Sequence, residues 1–127
     1  MSNLEQFNEI SAVIFPKLYE SFPSKIDIRI SDFPKNDTEE NSQIFFDTLN
    51  FYSDEKFITF EQKVYGAYKG VRLTSKGFSV LNADAPVRLY RDSSFIDAIK
   101  NVAEIGKSEL IKEIISTAVK YGIRTIS

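Results

Sequence analysis

The sequence predicts an α+β fold in which helices pack around a small antiparallel sheet. Three observations lead to this prediction: apolar residues recur at helical spacing near the N-terminus, alternate at strand spacing in the middle, and return to helical spacing in the last third. The 127 residues are 43% hydrophobic and 27% charged, which is typical of a single globular domain. We therefore expect one hydrophobic core.

The first element is an amphipathic helix over residues 4–22. Its apolar residues follow one another at intervals of three and four: Leu4, Phe7, Ile10, Ile14, Leu18 and Phe22. Pro16 removes a backbone donor from the middle of this pattern, so we expect a kink, or a break after Ile14 and a new start near Pro16. Pro23 is expected to end the helix.

A short strand and a polar loop follow. From Lys25 to Ile30, isoleucines alternate with charged residues, which is the pattern of a half-buried strand. Residues 31–40 are polar and rich in turn formers. We expect Asp37 or Thr38 to be the N-cap of the next helix, with Glu39 and Glu40 in its first turn.

The next helix is predicted over residues 39–53. Its apolar face comprises Phe45, Thr48, Leu49 and Tyr52, flanked by Ile44 and Phe51, and its opposite stripe comprises Gln43, Asp47, Asn50 and Asp54. Alternation from Phe57 to Tyr65 and again at Val71 and Leu73 predicts a β-hairpin around a turn at residues 66–70.

Two further helices complete the chain. Thr74 is expected to cap a short helix that stops between Asn82 and Pro86. Residues 93–121 show a long helical pattern that Gly106 loosens and Gly122 closes. We expect its second apolar stripe to pair with another copy in a two-fold dimer, the alternative being packing within the chain; the stripe comprises Leu110, Ile111, Ile114, Ile115 and Ala118.

The order helix, strand, helix, hairpin, helix is that of a winged-helix domain, with the hairpin as the wing. We assign residues 1–92 to this domain and residues 93–127 to a C-terminal helix that packs on it or dimerises. Three segments, KLYESFP from Lys17, FDTLNFYSDEKFI from Phe46 and VRLTSKGFSVLN from Val71, resemble a widespread group of uncharacterised small bacterial winged-helix-like proteins. The resemblance implies the fold and says little about function.

Composition excludes several kinds of chemistry. The chain has no Cys and no His, so disulfides, thiolate or imidazole metal sites and His-based triads are excluded. No pair of carboxylates is arranged for acid–base catalysis, so we expect no enzyme, no cofactor and no metal. With neither a signal-peptide pattern nor an apolar run of membrane length, the chain is expected to be cytoplasmic.

The charge is unevenly distributed. Residues 1–60 hold eleven carboxylates and five basic side chains, a net charge of −6, and the other eleven basic and seven acidic side chains give residues 61–127 a net charge of +4. No Lys or Arg lies between Lys35 and Lys56, which disfavours a DNA recognition helix there. A winged-helix DNA-binding regulator is therefore the second hypothesis, since only the hairpin and its exit carry cations.

The first hypothesis is a protein-binding module that recognises a basic partner. Its most concrete form is a bacterial immunity or antitoxin protein that neutralises a basic toxin, such as a nuclease, through an acidic helix face. The residues expected to contact the partner are Glu39, Glu40, Asp47, Asp54, Glu55, Tyr65 and Tyr68. The alternatives are that the carboxylates form a solvated face and that the two tyrosines only steady the hairpin.

Overall fold

The computed structural model describes residues 2–85 and 94–125. In this part the fold is α+β, with five α-helices and a four-stranded antiparallel sheet. The elements in chain order are α1 (Asn3–Ser21), β1 (Ile26–Arg29), α2 (Ser42–Asp54), β2 (Ile58–Thr59), β3 (Gln62–Val64), β4 (Ala67–Leu73), α3 (Ser75–Asn82), α4 (Phe95–Ile105) and α5 (Ser108–Thr125). None of the described helices combines the length and the hydropathy that crossing a membrane requires. The predicted domain boundary between residues 92 and 93 lies outside the described residues.

Strand β4 is the centre of the sheet. It pairs with β1 along one edge and with β2 and β3 along the other, always antiparallel. The predicted strand at Ile26 is confirmed, with Ile28 buried and Arg29 exposed on alternate faces. A single 3₁₀ turn, Ile30–Asp32, follows β1 directly, and the Ile30 N–H donates to the carbonyl of Gly66 at the hairpin tip.

The core lies between the sheet and the helices. Its largest buried side chains are aromatic, and Tyr52 of α2 packs edge-on against Phe15 of α1, with ring centroids 4.7 Å apart. The buried Tyr52 hydroxyl forms a 2.6 Å hydrogen bond with the Ser11 hydroxyl, so that no polar atom is stranded by the contact. The predicted apolar face of α2 is therefore confirmed as the face that joins α2 to α1.

The start of α2 differs from the prediction. The helix begins at Ser42, so Glu39 and Glu40 lie in the turn before it, and its N-cap residue Asn41 makes no side-chain capping bond. The turn persists because two asparagines satisfy its backbone: Asn36 Nδ2 donates to the Asn41 carbonyl over 3.2 Å, and Asn41 Nδ2 donates to the Lys35 carbonyl over 3.2 Å. These side-chain bonds compete with extension of the helix.

The break expected near Pro16 is wrong, because α1 is continuous from Asn3 to Ser21. The hairpin turn is also shorter than predicted and occupies Tyr65 and Gly66, with Gly66 in the left-handed region at φ 73°. Gly70 instead lies within β4 at φ 68°, a left-handed backbone conformation that residues with a Cβ rarely adopt. The predicted cap is confirmed at Thr74, whose hydroxyl accepts from the Gly77 N–H over 3.0 Å.

The single long C-terminal helix is wrong. Gly106 adopts φ 76° and ends α4 as a left-handed C-cap, and α5 starts afresh at Ser108. Gly122 does not close α5, which runs on to Thr125; a Cβ at Gly122 would collide with the Phe57 ring. Both helices pack on α1 and on each other, which buries four residues of the stripe expected to form a dimer: Ile111, Ile114, Ile115 and Ala118. That stripe is part of the core of the single chain, which corresponds to the alternative of packing within the chain.

Candidate functional site

A groove lies at the tip of the hairpin and has a volume of about 800 Å³. We call it the tip groove. One wall is the turn before α2 together with its first residue, and the other is the end of β3 with the hairpin turn. Ile30 and Phe46 also line it, and the residues of the two walls are Asp37, Thr38, Glu39 and Ser42 on one side and Lys63, Val64, Tyr65 and Gly66 on the other.

The tip groove combines apolar surface with a polar rim. Ile30 is buried and Phe46 and Val64 are half-buried, whereas Asp37 and Glu39 are exposed. Tyr65 has a relative exposure of 105%, the highest of the exposed large hydrophobic side chains. A tyrosine held out by a tight turn offers apolar area at a small entropic cost, which suits it to anchor a binding partner.

Lys63 is the basic residue that lines the tip groove, and aromatic rings hold its ammonium group. Its Nζ lies 4.7 Å from the ring centroid of Phe46 and 5.8 Å from that of Tyr68. This cation–π geometry keeps the charge over the rings. In the described part of the chain Lys63 forms no ion pair with Asp37 or Glu39.

A second surface lies beside the groove, on the turn before α2 and on the outside of that helix. We call its four exposed carboxylates the acidic surface: Glu39, Glu40, Asp47 and Asp54. Glu40 and Asp47 line one shallow depression together, and Gln43 Nε2 donates to Asp47 Oδ1 over 2.9 Å. Asp54 follows Asp47 by seven residues, which is about 10 Å along a helix at 1.5 Å per residue. The acidic surface is therefore a strip rather than a cluster.

The carboxylates of the acidic surface differ from those on the sheet in having no ion partner. Within residues 2–85 and 94–125, none of the four forms an ion pair, while Asp27 on β1 lies 3.5 Å from Arg29 and 3.7 Å from Lys69. Gln43 and Asn50 are the polar neighbours on the same side of α2, and no lysine or arginine lies on this helix. The negative potential of the strip is therefore left uncompensated by the helix itself.

Glu55 and Tyr68 do not belong to this surface. Glu55 is the half-buried C-cap residue of α2, and its carbonyl accepts from Lys76 Nζ over 2.9 Å. Tyr68 is fully buried, and its hydroxyl donates towards the Phe46 carbonyl at 3.0 Å and Asn50 Oδ1 at 2.9 Å. The prediction that Tyr68 is an exposed anchor is wrong, because the shorter turn places it within β4. It does not face Tyr65 across the hairpin either, since its partner there is Lys63.

Burial raises the pKa of the Tyr68 hydroxyl to about 12, and the negative charge of Asp47 contributes to the shift. The Asp47 carboxylate is thus close enough to act on a core side chain. The phenol stays protonated and hydrogen-bonded at neutral pH, so it serves to fix α2 on the sheet.

Among the residues that line the tip groove, Glu39 and Tyr65 were expected from the sequence, whereas the others, including Asp37, Phe46 and Lys63, were not. The sequence predicts Asp37 or Thr38 as the helix cap. The N-cap of α2 is instead Asn41, while the Thr38 hydroxyl accepts from the Asn41 N–H over 3.1 Å within the preceding turn, and Asp37 is exposed on the turn that Asn36 maintains. Asn36 is buried, and its Nδ2 donates to Gln6 Oε1 of α1 over 2.9 Å as well as to the turn. The sequence signal was the polar segment from Ser31 to Glu40, which is longer than a strand-to-helix connection requires.

No protein-family model, curated protein or solved structure matches the chain in comparisons with known proteins. The residues of the tip groove and of the acidic surface are therefore the basis for inferring a function. In the part of the chain that the structure describes, no three acidic side chains are grouped closely enough to hold a metal ion.

Proposed function

We propose that this chain is a protein-binding module for a basic protein partner. In its most concrete form it is a bacterial immunity or antitoxin protein that covers a cationic toxin, such as a nuclease. The strip of carboxylates takes the place that nucleic-acid phosphates would occupy on such a partner. Complementary charge of this kind speeds encounter and fixes orientation.

The absence of a counter-ion on the acidic surface is the observation that carries the proposal. An exposed carboxylate that already holds a lysine gains little from a partner's cation, because the first ion pair must be given up. Glu39, Glu40, Asp47 and Asp54 form no ion pair in the described residues, whereas sheet carboxylates such as Asp27 do. The strip is thus free to pair with cations supplied from outside.

A winged-helix DNA-binding regulator is the second candidate. The chain order of α1, β1, α2 and the β3–β4 hairpin favours it, as do the exposed cations Lys69 and Arg72 on β4. The element that would enter the major groove is α2, and its exposed face carries carboxylates that repel phosphate. We therefore place this candidate second.

Charge reversal tests the protein-binding proposal. The partner is first recovered from the native host by co-purification and identified by mass spectrometry, and its association is then followed by biolayer interferometry. We expect Asp47→Lys with Asp54→Lys to slow association about tenfold at low salt, because steering depends on the summed charge. The effect should shrink as salt is added.

The matched control is Glu104→Lys with Glu109→Lys, which makes the same change in net charge on exposed positions of α4 and α5. This pair should change the association rate less than about twofold, since steering is strongest near the interface. An unchanged rate for the Asp47 and Asp54 reversals contradicts the proposal. Binding of a selected duplex at about 10⁻⁸ M or tighter near physiological salt, read by fluorescence anisotropy, favours the regulator instead.

A further inference from the structure

The tip groove points to a particular kind of contact segment in the partner. We propose that it binds an extended stretch of the partner protein in which a lysine or arginine stands beside a large apolar residue. This inference rests on the proposed function, because it assigns the segment by which a basic partner is recognised. Glu39 borders both surfaces, but the other groove residues lie outside the strip, which Asp47 and Asp54 test separately.

The turn before α2 determines where the lysine or arginine of the partner is expected to bind. Asp37 and Glu39 are both exposed on this wall, and neither has an ion partner in the described part of the chain. Lys63 opposite them is held over the rings of Phe46 and Tyr68. A cationic side chain from outside therefore meets two carboxylates with which Lys63 forms no ion pair, and charge-assisted hydrogen bonds are among the stronger polar contacts.

The apolar neighbour is placed by Phe46 and by the hairpin turn. Phe46 and Val64 are half-buried in the free chain, so a ligand covers the remainder of their apolar area. Tyr65 stands fully exposed at the rim, where it can close over an inserted side chain. Tyrosine is one of the residues that most often dominate binding energy at the centre of an interface.

The extended conformation follows from β3. This strand pairs with β4 alone in the described sheet, so its other edge is unpaired. Along an edge strand, the backbone N–H and C=O groups of alternate residues point towards the paired strand and away from it. Lys63 and Val64 are consecutive residues of β3 and both line the groove, so the groove runs alongside this strand. An extended segment can therefore add main-chain hydrogen bonds to its side-chain contacts.

A peptide library tests the proposal with the full chain. Phage-displayed random dodecapeptides are selected against the immobilised protein, and recovered peptides are synthesised for fluorescence anisotropy. We expect enrichment of Lys or Arg next to Leu, Ile, Phe, Tyr or Trp. We also expect the Kd to rise about tenfold in Asp37→Asn with Glu39→Gln and about tenfold in Tyr65→Ala, because each change removes one strong interaction with the peptide.

The control variant is Glu104→Gln with Glu109→Gln, which removes the same charge at exposed positions of α4 and α5, outside both the groove and the acidic surface, and should change the Kd less than about twofold. Circular dichroism checks that each variant stays folded. If basic peptides bind all groove variants as tightly as the parent, the groove is not their binding site, and this inference is overturned. The proposal of a basic partner is not contradicted by that result. Peptides without Lys or Arg, or no enrichment over the bare support, also overturn this inference; the reversals at Asp47 and Asp54, measured on the native partner, remain a separate test.

Discussion

Two stripes of this molecule were expected from the sequence to face a partner, and the structure treats them differently. The apolar stripe of α5 is buried against the chain itself, with Ile114 and Ile115 almost without exposure. The acidic strip along α2 is exposed and has no ion partner among the described residues. The apolar stripe is thus buried by other helices of the same chain, whereas the charged strip stays exposed to solvent.

The difference follows from the free energy of exposing each kind of side chain to water. Apolar side chains gain free energy from any apolar cover, whichever part of the chain supplies it. A carboxylate is already well solvated and gains only from a cation held in the right geometry. An apolar stripe is therefore weak evidence for a partner, and an uncompensated acidic strip is somewhat stronger evidence.

The largest effect is expected from charging the buried stripe. Ile111→Asp with Ile115→Asp places two carboxylates in the core, which should lower the free energy of unfolding by more than about 4 kcal/mol and unfold most of the chain. Urea denaturation followed by circular dichroism measures this loss. The control is Lys112→Asp on the exposed side of α5, expected to change stability by less than about 0.5 kcal/mol. A variant that stays folded with half the mass of the parent by light scattering would restore the dimer.

A smaller effect should separate paired from unpaired carboxylates. Asp27 accepts a hydrogen bond from the Gly70 N–H over 3.2 Å and pairs with two cations, so Asp27→Ala should cost about 1–2 kcal/mol of unfolding free energy. Asp47→Ala, which breaks only the bond from Gln43, should cost less than about 0.5 kcal/mol. Equal losses in urea denaturation would mean that the strip on α2 stabilises the fold rather than being free for a partner.

The smallest effect concerns the pH dependence of Tyr68. Its pKa of about 12 in the folded chain exceeds the value of about 10 expected when it is unfolded. The stabilisation it provides is thus complete below about pH 10 and is lost as the pH rises towards 12. Asp47→Asn removes a negative charge, so the Tyr68 pKa should fall while burial keeps it above 10. Titration of the tyrosine ring carbons by NMR measures it, and an unchanged or higher value would show that Asp47 exerts no field there.

Periodicity predicted most of the helices and strands because each follows from local spacing. The faces of α1 and α2, the strand at Ile26 and the cap at Thr74 are all of this kind. The points that failed depend on contacts distant in sequence. The Phe57 ring leaves no room for a side chain at Gly122, and the hydrogen bond from Asn36 to Gln6 holds the turn that delays the start of α2. The end of α4 is an exception, because Gly106 is a left-handed C-cap whose N–H bonds to the Val102 carbonyl, which is a local signal that the helical pattern on both sides obscured.

The candidate site was predicted only in part for the same reason. Glu39 and Tyr65 were expected from charge and from the hairpin, and the structure brings both to the tip groove. Asp37 and Phe46 join them only because the turn before α2 folds towards the hairpin. Tyr68 was misplaced by the length assumed for the turn, since residues of a strand alternate between faces and a small shift moves a side chain to the other one.

The packing of α1 against α5 bears on how the chain is made. These helices come from nearly opposite ends of the described sequence, yet each covers apolar surface of the other. During synthesis α1 and α2 can pack before α5 exists, but the part of α1 that α5 covers stays open until that helix is made. Contacts between such distant segments slow folding relative to local ones and leave apolar surface open to aggregation in the meantime. A ribosome-bound chain that stops before Ser108 should consequently be a client for chaperones rather than a smaller folded protein.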